Sequence, residues 1–320
     1  MPPVRLHRNF RGNLPIVPTP FHQNGELALD DIGMMVDYYQ RCGVDGLTIL
    51  GVMGEAFKLS AAETKACIDE FLRCAKGRLA IVVGVSDKSL ARSAEVGSYA
   101  VENGADAVML LPLQGLKTDD AVVGFFERYA KETGGRVPIC VQDDPPVSNV
   151  ELTVAAWCRI SKIEPVIMLK HEPFPGLQKL SQILEARKNG EARQASILTS
   201  SNGMYLPQEL ERGCDGSMIG VAYADAITQM TKQFWAGDSD KMFDLHDALL
   251  PLIRHEKQAA FGLSVRKEIL RRRGAISTGT VRYPGAALDA RDLAELDRLI
   301  ERFEARLQAL SVSLEIRQAA

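Results

Sequence analysis

"VIMLKHEPF", residues 166–174, begins as a buried strand and ends on a lysine, a histidine and a glutamate. Four apolar residues in succession, with no polar alternation, fit a parallel strand covered on both faces. Seven other short runs share that character: LPIVPTPF (14–21), GLTILG (46–51), LAIVVGV (79–85), AVMLLP (107–112), VPICVQD (137–143), ASILTSS (195–201) and GSMIGVA (216–222). Helical periodicity occupies 29–42, 61–75, 87–104, 119–132, 154–162, 174–188 and 224–235. Ser60, with Glu63 three residues on, forms a capping box, and Ser89 is a second N-cap. Strands and helices in strict alternation predict an α/β protein, a closed (β/α)8 TIM barrel over residues 1–236. No GxGxxG or GxxxxGK[ST] follows any strand, which argues against a nucleotide-binding sheet. From about Ser239 the pattern is wholly helical, so 237–320 reads as an appended C-terminal helical subdomain.

The chain has 320 residues, 46% hydrophobic and 25% charged, with a net charge of −3. That balance, without a basic stripe, argues against nucleic acid as a partner. No apolar run approaches the roughly 18 residues that span a bilayer. The N-terminal MPPVRLHRNFRGN is basic but has no apolar core behind it, unlike a secretory leader. Six scattered cysteines, with no CxxC pair, read as reduced core thiols. A soluble cytoplasmic protein is the expectation.

In a barrel, chemistry belongs to the C-terminal ends of strands, and Lys170 ends the sixth. Side chains alternate along a strand, so Lys170 and Glu172 share the inner face while His171 points into the helix layer. Burial disfavours the charged amine, and a neutral amine attacks carbonyls. The competing reading is a buried Lys170–Glu172 ion pair with no chemistry. A metal site built from Asp143, Asp144, His171 and Glu172 is weakened because His171 and Glu172 diverge. No metal or cofactor is expected. In the tail, Arg254, His255 and Glu256 project in different directions from a helix and form no triad. RKEILRRRG reads as an exposed helix end whose cations suit the dipole.

The stretch GLTILGVMGEAFKLSAAE (46–63) resembles the first signature of the dihydrodipicolinate synthase/N-acetylneuraminate lyase family, with Gly51, Gly54, Glu55 and Glu63 matching. Lys170 stands where that family has its strand-six lysine, and the likeness runs from about Phe10 to Leu310. The resemblance implies a (β/α)8 barrel with C-terminal helices, and a lysine that forms a Schiff base with pyruvate or another 2-keto acid. It also implies a homo-oligomer, a dimer or tetramer, with a small-molecule 2-keto acid as its partner.

The departures narrow the reading. Val52 and Met53 replace the family's hydroxyl residues, Gln142 replaces the tyrosine that ends strand five, and Gln114 replaces a second tyrosine. The arginine used for an aldehyde's carboxylate would fall near Val147. VQDDPP, LKHEP and LIRHEKQ instead resemble members that dehydrate 2-keto-3-deoxy sugar acids. The resemblance therefore implies a Schiff-base lyase, foremost a 2-keto-3-deoxy sugar acid dehydratase, with pyruvate aldolase chemistry second. An alternative of another class is a family member impaired in catalysis that binds a small carboxylate. Lys170 is the expected nucleophile and Glu172 the acid or base. Val52 and Met53 would offer backbone N–H groups to a carboxylate. Gln114, Gln142 and Asp143 are the side chains expected against the substrate, although the glutamines would also serve as packing. Glu55 is expected to be structural, a buried acid held by hydrogen bonds.

Overall fold

A computed structural model describes residues 6–316; the basic N-terminal stretch begins, and the final SVSLEIRQAA ends, outside these. Among the described residues eight parallel strands form one sheet: β1 (Gly12–Asn13), β2 (Gly46–Ile49), β3 (Ala80–Gly84), β4 (Ala107–Leu110), β5 (Ile139–Asp143), β6 (Val166–His171), β7 (Ser196–Thr199) and β8 (Gly216–Ser217). β1 pairs with β8. The seam between β1 and β2 closes through backbone bonds from Asp45 N to Asn13 O (3.0 Å), Thr48 N to Pro15 O (2.8 Å) and Val17 N to Thr48 O (3.0 Å). The chain is thus a (β/α)8 barrel.

The helices around it are α1 (Asp31–Arg41), α2 (Ala61–Ala75), α3 (Leu90–Glu102), α4 (Asp119–Glu132), the one-turn α5 (Pro145–Ser148), α6 (Val154–Ile160), α7 (Leu177–Lys188), α8 (Leu206–Arg212) and α9 (Ala224–Trp235). Three more follow: α10 (Ser239–Glu256), α11 (Phe261–Arg272) and α12 (Ala290–Ala309). Ser60 and Glu63 make the reciprocal capping box of α2, and Ser89 caps α3 by accepting the Arg92 N–H.

Three departures from the sequence reading have local causes. The run 14–21 forms no extended ladder, because Pro15, Pro18 and Pro20 lack an N–H to donate. α7 begins at Leu177 rather than residue 174, since Phe174 precedes Pro175 and is driven out of the helical region. α8 escaped periodicity altogether. It has seven residues, too few for a repeat, and follows a turn in which Ser201 and Asn202 adopt left-handed φ of 49° and 58°.

Leu14, Val82, Met109, Cys140, Met168 and Leu198 pack on one another inside the barrel. Strand alternation then places Gln142 and Lys170, two residues beyond Cys140 and Met168, on the same inner face. The two are register partners across β5 and β6. Beyond β2 the chain turns at Leu50, with φ of 55°, directly over Gly84, where a Cβ would overlap the Leu50 carbonyl oxygen. Gly84→Ala should therefore cost about 1–3 kcal/mol as overpacking against backbone. A urea midpoint within error of the native protein would contradict this.

Candidate active site

Lys170 reaches the C-terminal mouth of the barrel almost fully buried, at 3% exposure. Its ammonium is in direct contact with Glu172 Oε2. Glu172 lies just past the strand end. Its N–H donates to Asp143 O (3.1 Å), and its carbonyl accepts from Ser201 Oγ (2.8 Å), so the backbone holding the carboxylate is tied to both neighbouring strand ends. Gln142 Nε2 donates to Glu172 Oε2 over 3.3 Å and lies 3.5 Å from Asp144 Oδ2. Burial, with the negative charge of Glu172 adding to it, pushes the Asp144 carboxyl up to about 6 against the partial opposition of Lys170 and Lys257.

A second polar layer stands behind these strands. His171 faces the helices, its Nε2 3.0 Å from Gly176 O. A carbonyl only accepts, so Nε2 carries the proton, and burial holds the ring down to about 4, hence neutral. Asp143 belongs to this layer as well. It is the register partner of His171 and pairs with Lys179 of α7 at 2.6 Å. Further round, the Thr199 hydroxyl donates to the buried Glu209 carboxyl, which burial, with Glu172's charge adding, lifts from 4.5 to about 8. The folded state thus binds this proton more tightly than the unfolded chain. Its contribution is full below the unfolded pKa and is lost as pH rises toward 8. Glu209→Gln should remove that slope, so its urea midpoint should fall less than the native protein's between pH 5 and pH 8. Parallel curves would contradict the assignment.

The loop GVMGE closes the opposite side of the mouth. Met53 packs on the inner cluster, and Val52 is partly exposed. Gly54 holds a tight turn, its N–H donating to Gly51 O (2.9 Å) while its carbonyl accepts from Thr19 Oγ1 (2.5 Å). Glu55 is fully buried between Lys267 (2.5 Å) and Lys58 (2.7 Å), and accepts the Arg282 N–H (3.1 Å). Lys267 and Lys58 donate onward to Thr280 O (2.8 Å) and Arg282 O (2.6 Å). Arg282 clasps Glu63 with both guanidinium nitrogens, at 2.7 and 3.1 Å, which holds that carboxyl down to about 2. Both acids of the first signature are therefore engaged with residues 280–282. Gln114 stands elsewhere, on a groove of about 520 Å³ that it shares with Phe57, Lys88 and Val147.

The structure thus unites Lys170, Glu172 and Gln142, leaves Gln114 on the groove, and turns Asp143 toward Lys179. RKEILRRRG is corrected in part: Arg266, Lys267 and Arg273 are buried, paired with Glu256, Glu55 and Asp225 respectively. Glu55 and Asp225 lie 212 and 48 residues from their partners, and Glu256 sits on the preceding helix, so no pattern within the helix announces them. Sequence reasoning passed over Lys58 and Lys179 and placed Lys267 on an exposed helix end, although that helix also carries the apolar Val265 and Ile269, which are buried. Among the described residues, no three His, Cys, Asp or Glu side chains converge on a point that would hold a metal ion, and no helix is long and apolar enough to cross a membrane.

The Dihydrodipicolinate synthetase family model matches residues 9–303. An L-2-keto-3-deoxyarabonate dehydratase from Azospirillum brasilense is 30% identical over 297 residues, 92% of this chain and 94% of that protein. The crystal structure of a dihydrodipicolinate synthase from Rhodopseudomonas palustris superposes with a TM-score of 0.90 at 37% identity, covering 93% of this chain and 99% of that one. A catalytic-lysine mutant of the sialic acid aldolase of Ruminococcus gnavus shares the fold, with a TM-score of 0.84 at 18% identity over 96% and 100% of the two chains.

Proposed function

The chain belongs to the dihydrodipicolinate synthetase family and is a lyase, and from that premise we propose that it dehydrates a 2-keto-3-deoxy sugar acid through a Schiff base on Lys170. The observation that carries this reading is the contact of the buried Lys170 with the half-buried Glu172 at the end of β6, capped by Gln142. Lys170 attacks the C2 ketone after releasing one proton to Glu172. Glu172 returns that proton to the carbinolamine hydroxyl, which leaves as water as the iminium forms, so Glu172 is again a carboxylate. With positive charge at C2, the C3–H bond is acidified, and Glu172, free of the ammonium once the imine exists, takes that proton. The resulting enamine expels the C4 hydroxyl. Gln142 presents an amide at the position where the family resemblance expects a phenol; an amide orients carboxyl groups and hydroxyls but relays no proton. The Val52–Met53 turn, on a partly apolar wall, would hold the substrate's C1 carboxylate through backbone N–H groups.

The same reading extends to a homo-oligomer in the cytoplasm with a small 2-keto acid as its partner. Aldol condensation with pyruvate is favoured as a second reading by the 37% identity to a dihydrodipicolinate synthase. Incubation with 2-keto-3-deoxypentonates and -hexonates, following both loss of water and release of pyruvate by mass spectrometry, separates the two. Dehydration without pyruvate supports the proposal, whereas pyruvate as the main product replaces it with the aldolase.

A further inference from the structure

Dehydration needs a base at C3 and an acid at C4, and the Lys170–Glu172 contact supplies an obvious candidate only for the first. Resting on the dehydratase reading above, we propose that Asp144 is the general acid, delivering the proton that leaves with the substrate's C4 hydroxyl as water.

Asp144 occupies the first position beyond β5. Residues 140, 142 and 144 follow one face of that strand, and Cys140 lies within the barrel's inner cluster. Asp143, between them, is turned outward to Lys179. Although Asp144 stands at the N-cap of α5, its carboxylate makes no capping bond. The capping duty falls to its carbonyl, which accepts from Val147 N (3.1 Å), Ser148 N (2.9 Å) and Ser148 Oγ (2.9 Å). Pro145 and Pro146 stiffen the turn that follows. The backbone is therefore fixed, and the carboxyl group, which also feels the Val147 N–H, is buried beside Gln142.

Gln142 Nε2 stands between two carboxyl groups, 3.3 Å from Glu172 Oε2 and 3.5 Å from Asp144 Oδ2. An amide orients the two carboxyl groups but passes no proton between them. Their surroundings differ. Glu172 touches the Lys170 ammonium, whereas burial, and then the charge of Glu172, favours the protonated form of Asp144 against the partial opposition of Lys170 and Lys257. Two carboxyl groups whose environments diverge in this way are the usual arrangement for an acid and a base in one site.

The step balances as follows. The C3–H bond breaks and its proton passes to Glu172, leaving its electron pair in the C2–C3 enamine. That pair forms the C3–C4 double bond as the C4–O bond breaks, and the Asp144 proton joins the departing oxygen to make water. No oxidant or reductant is required. Glu172 ends protonated and Asp144 ionised, and exchange with solvent resets them.

The test compares wild type with Asp144→Asn on two probes carrying the reacting atoms, 2-keto-4-hydroxybutanoate and 2-keto-4-fluorobutanoate. Fluoride departs without a proton, so it does not need the acid. Both proteins should be trapped on Lys170 by borohydride and should expel fluoride at similar rates. Loss of hydroxide should fall by about 10²–10⁴-fold in Asp144→Asn alone, with Asp144→Glu restoring part of it. Equal rates on the hydroxy probe, a parallel loss with both leaving groups, or a wild type that expels fluoride but never hydroxide would each overturn the assignment. A wild type that traps neither probe would instead remove the Schiff-base reading on which it rests.

Discussion

Lys170→Ala is expected to reduce kcat on the native 2-keto acid by at least about 10⁴-fold, equivalent to about 5.5 kcal/mol of transition-state stabilisation. The loss is so large because the iminium is the electron sink for C3–H cleavage and the enamine it becomes supplies the electrons that expel the C4 oxygen, and no other amine shares the inner face of β5 and β6 with Gln142 and Glu172 among the described residues. Lys170→Arg should fare no better, since a guanidinium stays protonated and does not condense with ketones. The fold should survive either change. Glu172 keeps its Gln142 hydrogen bond and is 17% exposed, so it is not stranded as a fully buried charge. Steady-state kinetics beside thermal unfolding would check this: a folded Lys170→Ala variant retaining a tenth of native turnover would refute the nucleophile assignment.

Glu55→Ala should have the largest effect on stability, about 3–5 kcal/mol. Removing the carboxylate strands Lys267, fully buried and already depressed to about 8 by burial, and leaves Lys58 and the Arg282 N–H without their shared acceptor. Residues 280–282 would then hold to the barrel through the Arg282 side chain, which pairs with Glu63 and donates to Gly25 O (2.9 Å) and Lys58 O (3.0 Å). Replacing both partners by apolar residues, as in Glu55→Leu with Lys267→Met, should recover much of the loss, because the penalty lies in the unpaired charge rather than in the absence of the ion pair. Urea denaturation of the single and double variants measures this. A single-variant loss below about 1 kcal/mol, or a double variant no better than the single, would show that the cluster is not a latch.

What was legible in the sequence follows the range of the interactions involved. Barrel strands are apolar on both faces, and α2 and α3 announce themselves by caps and periodicity, so the architecture could be read locally. The inward turn of Lys170 and the outward turn of His171 follow from strand alternation alone. That same parity places Asp143 outside and Asp144 inside, yet the aspartates are adjacent and identical, and only their partners, Lys179 and Gln142, tell them apart. The Glu55 cluster spans more than two hundred residues, which is why its lysine looked like an exposed helix end. The run 14–21 failed for the opposite reason: its prolines were visible, but apolar continuity outweighed them.

The most direct test of the central claim is intact-protein mass after borohydride reduction in the presence of pyruvate and of a 2-keto-3-deoxy sugar acid. Native protein should gain the mass of one reduced ligand per chain, located by peptide mapping at Lys170, and Lys170→Ala should gain none. An unmodified native protein, or an adduct that persists in Lys170→Ala, would contradict a Schiff base at the end of β6.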